Sequence, residues 1–465
     1  MAATENRIVI IGGGISGLAC AWRLTCLGLP VLLVEQESRA GGVIRTVQND
    51  GVVFEAGPQS FLLTAPLFEL LREIGLEEDL LRADRRAPRY VLLGGKLTRV
   101  PMAPPGLLFT SLFSGGTKWR LVTEPFRSTV PPDADESVAG FIRRKFGADL
   151  LDHLVAPMVS GVYAGDAERL SLRSAFPAVH KWEKEQGSVL RGMIKSLSGG
   201  NKKARPPAGA RGLVTLRQGN ASLPARLAER LGDAVAPGTR VAALRRGSPG
   251  GAAFELDCES NGRRETISAA AVVFAAPAAV AGRLLAPLVP AAAELAQVVY
   301  APVAVVAGSY STEHLPRPLD GFGFLVPRSE RLRILGTVWN SSLFPARAPE
   351  GQTTLTSFVG GMTDPSAGSL PDEPLYQTVE SELRRILGIL CAPRARFAQR
   401  WPQAIPQYNL GHAEMLRNVR SALAAVPGVF LAGSYLEGPA ISACVAAANA
   451  AAQQAADYLR SPTPG

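Results

Sequence analysis

The first patterned stretch of the chain is a continuous apolar run over residues 8–11 (Ile, Val, Ile, Ile), rich in β-branched side chains and followed at once by three glycines. A run of this length without polar alternation predicts a strand buried on both faces of a parallel sheet. The pattern turns helical from about Ile15, and a second apolar run over residues 31–34 ends in Glu35. Further along, short strands are predicted over residues 239–244, 252–258 and 264–268, then a buried strand from Ala271 that stops at Pro277. Alternating segments between 295 and 400, such as 353–359, predict a second sheet. Residues 429–434 read as a last strand, and the Ala-rich stretch after it as a helix to about Leu459. From about 86 to 215 the pattern reads as helices with irregular connections. Within that region, residues 195–212, rich in Gly, Lys, Pro and Arg, read as a mobile surface loop.

The glycines between the first strand and helix carry the first chemical signal. Gly12, Gly14 and Gly17 satisfy G-x-G-x-x-G in the order strand, turn, helix, strand, acid. Gly12 allows the tight turn, Gly14 lets the backbone approach a pyrophosphate at the helix N-terminus, and Gly17 lets helix and strand pack closely. Gly13 and Ser16 complete the cofactor-facing turn. Glu35 is placed to accept hydrogen bonds from ribose hydroxyls and would repel a 2'-phosphate. A second glycine motif, residues 39–45, follows directly and adds Gly41, Gly42, Arg39 and Arg45 where phosphates and a flavin end would lie, which points to FAD rather than NAD. The Gly57-Pro58 pair suits a loop against a ligand. Near the C-terminus, the glycine turn at Gly433 and the helix after it return to the same cofactor.

Composition narrows the class. With 465 residues, 47% hydrophobic and 19% charged, the chain is expected to form two or three well-packed globular domains. Five scattered cysteines without a C-x-x-C pair lead to the expectation of a reducing compartment, no disulfide framework and no zinc site. The four histidines have no metal-ligand spacing, so no metal is expected. The net charge of +9 suits nucleic acid, an anionic membrane surface or an acidic substrate. No nucleic-acid-binding signature accompanies it, which leaves the last two. The Ala-rich run 269–296 is broken by Pro277, Arg283, Pro287 and Pro290, so no membrane span is expected, nor is a leader before the first strand. Residues 104–113, followed by Lys118, Trp119 and Arg120, are apolar and basic in the manner of an interfacial segment. Residues that simply fill a helical subdomain give the same pattern.

With its N-terminal dinucleotide unit and second glycine motif, the chain resembles the flavin amine oxidase superfamily. Four segments narrow the resemblance: 159–166 (Val-Ser-Gly-Val-Tyr-Ala-Gly-Asp), 170–177 (Leu-Ser-Leu-Arg-Ser-Ala-Phe-Pro), 321–327 (Gly-Phe-Gly-Phe-Leu-Val-Pro) and 405–412 (Ile-Pro-Gln-Tyr-Asn-Leu-Gly-His). In this order, over nearly the whole chain, they look like the oxygen-dependent protoporphyrinogen oxidases. The resemblance implies non-covalent FAD and six-electron oxidation of protoporphyrinogen IX to protoporphyrin IX by molecular oxygen, with hydrogen peroxide formed, in heme biosynthesis. It implies that Arg89 pairs with a substrate propionate, that Leu325, Val338 and Phe358 sandwich the macrocycle, and that Gly161 lets the backbone approach it. It also implies FAD contacts from Gly57, Pro58, Val241 near the adenine, Trp401 near the flavin, Gly433 and Ile441. Taken on its own, Arg89 reads as a solvated cation beside Arg85 and Arg86, and the three apolar residues as core. No catalytic residue beyond the flavin is expected. The chain departs from the family pattern at residues 439–443 (Pro-Ala-Ile-Ser-Ala) and 211–220.

The expected fold class is α/β: a Rossmann-type FAD-binding domain, an inserted α+β substrate domain and a helical membrane-binding subdomain. The expected division is 1–85, first FAD-binding part; 86–215, helical region for membrane binding and substrate access; 216–295, second FAD-binding part; 296–400, substrate sheet; 401–465, third FAD-binding part with the C-terminal helix. The resemblance places such a protein in the cytoplasm and peripherally on a membrane, or on the mitochondrial inner membrane in a eukaryote. It allows hand-off of product to a ferrochelatase and assembly as a homodimer. Alternatives are a coproporphyrinogen III oxidase, another amine oxidase or desaturase, and a flavin protein that delivers tetrapyrrole to a ferrochelatase without turnover.

Overall fold

A computed structural model describes residues 7–101, 106–126, 134–198, 212–248 and 251–460. The segment 199–211, most of the stretch expected to be a mobile loop, lies outside the described residues, as do Pro104, Pro105 and Arg211.

The apolar runs build a five-stranded parallel sheet in the order Val235–Pro237, Val31–Glu35, Ile8–Ile11, Ala271–Phe274, Val429–Leu431. Its two central strands are buried at every residue, because helices cover one face and a second sheet covers the other. Alternate side chains serve the two layers. Ile8, Ile10 and Val273 pack against Leu18 and Leu24 of the helix Ile15–Cys26 and against Val445 and Ala452 of the helix Ile441–Arg460. Val9, Ile11 and Phe274 pack against Val241, Leu244 and Phe254 of a three-stranded antiparallel sheet. Two strands of that sheet, Phe254–Ser260 and Arg263–Ala269, are joined by the Asn261-Gly262 turn, the commonest chemistry for a two-residue hairpin. The nucleotide sheet thus draws on strands hundreds of residues apart.

A seven-stranded sheet forms the other half, in the order Ala395–Pro406, Tyr300–Ser311, Gln352–Gly360, Ile334–Trp339, Gly323–Leu325, Arg89–Leu93, Lys96–Arg99. Its last two strands differ from the helical reading of residues from 86 onward. Gly94 and Gly95, at φ 57° and 75°, supply the two left-handed residues of a tight hairpin turn, and a hairpin with an apolar face adds to a sheet edge. One face of this sheet, including Phe324, Trp339, Leu355 and Val359, is covered by Leu375, Val379 and Leu383 of the helix Asp372–Leu387. Helices between residues 106 and 198 form a third body around Phe141, Leu150, Leu170 and Tyr408, and it reaches the sheet at Leu93, Val100 and Ile405. Lys145 and Glu183 lie buried inside it, Nζ to Oε1 3.2 Å, and Glu124 accepts hydrogen bonds from Ser188 and the Val189 amide at the start of the helix Val189–Ser198.

The two halves are fastened by a charge pair. Glu55, at the end of the strand Val52–Glu55, and Arg347, between two strands of the large sheet, are each 3% exposed and 2.7 Å apart. Glu55 also accepts hydrogen bonds from the Thr46 hydroxyl and the Asn220 amide, and Arg347 donates to Thr215. A buried pair contributes little net stability, yet removing one partner leaves a desolvated charge. Arg347→Ala should therefore lower the unfolding free energy by about 3–5 kcal/mol, read as a shift of the urea midpoint. Glu55→Gln combined with Arg347→Met should shift it less.

Candidate active site

The first glycine turn divides its work among its residues. Gly12 has φ 109°, and a Cβ there would lie 2.7 Å from the Ala276 nitrogen. A Cβ at Gly17 would run into the Gly12 carbonyl oxygen, so helix and turn touch backbone to backbone. A Cβ at Gly14 would meet nothing within 4 Å. The helix Ile15–Cys26 begins there with no side-chain cap, so its first amides face open space, where the partial positive charge of a helix N-terminus accumulates. Ser16 is buried in the first turn. The Glu35 carboxylate accepts the Gly13 amide at 2.5 Å and the Glu37 amide at 2.9 Å, at the C-terminal end of its strand.

The second glycine motif is stitched to the first: the Gly41 amide donates to the Gly13 carbonyl at 2.8 Å, and a Cβ at Gly42 would touch Gly14 Cα at 3.4 Å. Arg39 directs its guanidinium at the carbonyls of Ala40, Gly42 and Ile44, bracing this turn from within. Partial burial and the neighbouring Arg45 charge lower its pKa. Gly57 sits against the Val43 carbonyl, and the Pro58 carbonyl accepts from Asn220. Trp401 donates its indole N–H to the Ala56 carbonyl at 2.6 Å. Val241 is buried beside a register shift in its strand. Gly433 lies just beyond the last strand of the nucleotide sheet, at the start of the short helix Ser434–Glu437, and Ile441 opens the C-terminal helix within the same core as Ile10 and Ile15.

Sheet register brings the remaining candidates together. Arg89, Gly323, Val338, Thr356 and Ala307 form one cross-strand row; Val91, Leu325, Gly336, Phe358 and Val305 form the row two residues on. Residues in paired positions and two apart share a face. Arg89, Leu325, Val338 and Phe358 therefore lie on one side of the sheet, opposite the face covered by the helix Asp372–Leu387. Trp401 follows on that side, paired with Val303, and clusters with Phe358 and Met362. Gly161, on the helix Ala156–Tyr163, lies against Leu325, where a Cβ would collide with the leucine side chain. At a strand spacing of about 4.8 Å, Arg89 stands roughly 14 Å across the strands from Phe358. Its guanidinium lies 5.0 Å from the centroid of the Phe322 ring, and among the described residues it forms no ion pair.

Several residues of this region carried no assigned role in the sequence reading. Gln59 belongs to the loop after Gly57 and is joined to Asn340, 281 residues away. Tyr408 and His412 donate to the carbonyls of Ser434 and Tyr435, holding the turn beyond Gly433. Burial lowers the His412 pKa, which favours the neutral ring with its proton on Nε2. The segment 405–412 had been singled out, but only by resemblance; the carbonyls it holds are reached through the fold.

A glycine-lined dinucleotide cradle facing an apolar sheet surface, with an unpaired cation at its rim, defines a dinucleotide-dependent oxidoreductase. The chain belongs to the flavin containing amine oxidoreductases, whose family profile matches residues 15–457, and its cofactor is FAD. It is 37% identical to the chloroplastic protoporphyrinogen oxidase of Oryza sativa over 97% of this chain and 88% of that one. It is 33% identical to the coproporphyrinogen III oxidase of Bacillus subtilis over 99% and 100%. Cyclohexylamine oxidase of Brevibacterium oxydans shares the fold, with a TM-score of 0.71 at 19% identity over 98% of this chain and 100% of that one.

The glycine geometry separates two substitutions that look alike in sequence. Gly14→Val should fold and lose FAD, because its side chain fills only the space left for the pyrophosphate. Gly17→Val should fail to fold normally, because the clash is with backbone. Flavin absorbance and circular dichroism of the two purified variants distinguish the outcomes.

Proposed function

We propose that the protein oxidises protoporphyrinogen IX to protoporphyrin IX with molecular oxygen, as a step of heme biosynthesis. The observation that carries this reading is the apolar face with Arg89 at its edge. A greasy macrocycle with propionate arms calls for apolar walls and a cation. Leu325, Val338 and Phe358 provide the walls, Gly161 closes against Leu325, and Arg89, stacked on Phe322, holds a propionate. Among the described residues no side chain is assigned as acid or base. Bound FAD supplies the two-electron acceptor, so the six electrons leave in three rounds, and one protoporphyrinogen with three O2 gives one protoporphyrin and three H2O2. What the protein contributes is orientation of a hydride-bearing carbon and exclusion of water.

A second reading, oxidation of coproporphyrinogen III, is favoured by Lys96. It pairs with Leu93 on the face that carries Arg89 and offers a cation to an additional carboxylate. The Bacillus subtilis relative, similar along its whole length, bears that name.

The helical body exposes Phe109, Trp119 and Phe126 by 86%, 69% and 81%. These rings, beside Lys118 and Arg120, support peripheral binding to an anionic membrane. Among the described residues no helix is long and apolar enough to cross one. Trp119→Ser with Phe109→Ser should release the protein from sedimenting anionic vesicles without changing its flavin content.

Oxygen uptake and peroxide, measured beside porphyrin fluorescence, should give three of each per porphyrin formed. Faster turnover of coproporphyrinogen III would transfer the assignment to the second reading. In the same assay Arg89→Ala should raise KM about thirtyfold, equivalent to about 2 kcal/mol for a truncated charge pair, with flavin content unchanged.

A further inference from the structure

Three buried side chains form a polar chain from the apolar face to the flavin-side loop. Thr356 lies in the cross-strand row between Val338 and Ala307 and two residues before Phe358, so it sits among the apolar candidates and on their side of the sheet. Its hydroxyl donates to Asn340 Oδ1 at 2.8 Å, and Asn340 Nδ2 donates to Gln59 Oε1 at 2.8 Å. Gln59 Nε2 in turn donates to the carbonyls of Glu55 and Gly57, at 2.9 and 3.0 Å. All three residues are buried. Gly57 rests on the Val43 carbonyl of the second glycine motif, so the chain ends against the cofactor cradle.

We propose that Thr356, Asn340 and Gln59 are positioning residues, setting the distance between the substrate face and the flavin cradle. The inference rests on the tetrapyrrole reading above. Each amide in the chain has one orientation that satisfies its neighbours: Asn340 must accept from Thr356 and donate to Gln59, and Gln59 must accept from Asn340 and donate to two carbonyls. A chain fully satisfied in a buried setting is rigid, and an unpaired member costs a desolvated polar group. Trp401 pins the same loop from a neighbouring strand through the Ala56 carbonyl. With that second anchor in place, loss of the Asn340 link lets the loop shift on the sheet without detaching it. Hydride transfer is sensitive to such a shift, whereas binding of a broad apolar substrate is not.

The test uses two near-isosteric variants of the holoenzyme, Asn340→Leu, which removes both the acceptor for Thr356 and the donor to Gln59, and Thr356→Val, which loses the hydroxyl. FAD content and KM for protoporphyrinogen IX should stay within twofold of the unaltered protein. Anaerobic flavin bleaching at saturating protoporphyrinogen should slow about tenfold, with reoxidation by air unchanged, and the double variant should be no slower than the slower single one. Hydrogen exchange of the amides in residues 55–59, measured without substrate, should rise while that of residues 8–18 does not. Unchanged bleaching in both variants, a loss confined to KM, or unchanged exchange at residues 55–59 would overturn the proposal. If the unaltered holoenzyme is not bleached by protoporphyrinogen, the tetrapyrrole reading falls, and the exchange measurement still decides whether the chain holds the loop.

Discussion

The loop from Glu55 to Gln59 is the seam on which the two halves of the molecule meet. At its root the Glu55 carboxylate meets the Arg347 guanidinium at 2.7 Å, out of contact with solvent. Burial raises the Glu55 pKa against the pull of Arg347, Asn220 and Thr46. Such a pair adds little to net stability. Its structural consequence is that only one docking of the sheet onto the nucleotide domain satisfies both charges. The Ala56 carbonyl is taken by Trp401 and Gln59 by Asn340, both of the sheet half, while Asn220 on the nucleotide side holds the Glu55 carboxylate and the Pro58 carbonyl.

This seam explains how a glycine-lined cradle and an apolar sheet face made from distant segments hold a common geometry. The nucleotide sheet supplies a helix N-terminus and two interlocked glycine turns, held by close backbone contacts at Gly12 and Gly17 and left open at Gly14. The large sheet supplies an apolar face whose residues are aligned by register. Neither half closes the site without the other. The helical body completes it from the side, where Gly161 abuts Leu325. Its own core and its buried Lys145–Glu183 pair are turned inward, and its outer surface keeps aromatic residues that none of the described elements covers.

Local chemistry and long-range placement contributed differently to what could be read beforehand. The turn at Gly12, the open space at Gly14 and the tight contact at Gly17 follow from residue type and spacing within one βαβ unit, and the structure has all three. The same holds for the buried strands, whose apolar runs are continuous because both faces are covered, and for the last helix, whose alanines permit close approach to the helix Ile15–Cys26. The hairpin at residues 89–99 was legible in principle from Gly94-Gly95, and the helical reading of that region passed over it.

By itself, the sequence determined a dinucleotide fold with an acid at the end of its second strand, because those features need only neighbours in the chain. Resemblance added candidates such as Arg89 and Phe358 without saying why they belong together. Their common face was decided by strand order and register, in which a shift of one residue would turn each side chain to the opposite layer. The Glu55–Arg347 pair and the Thr356–Asn340–Gln59 chain were decided by tertiary structure too. A lone Glu, Arg or Asn has no periodicity to betray it, and its meaning comes from a partner that only the folded chain brings within 3 Å.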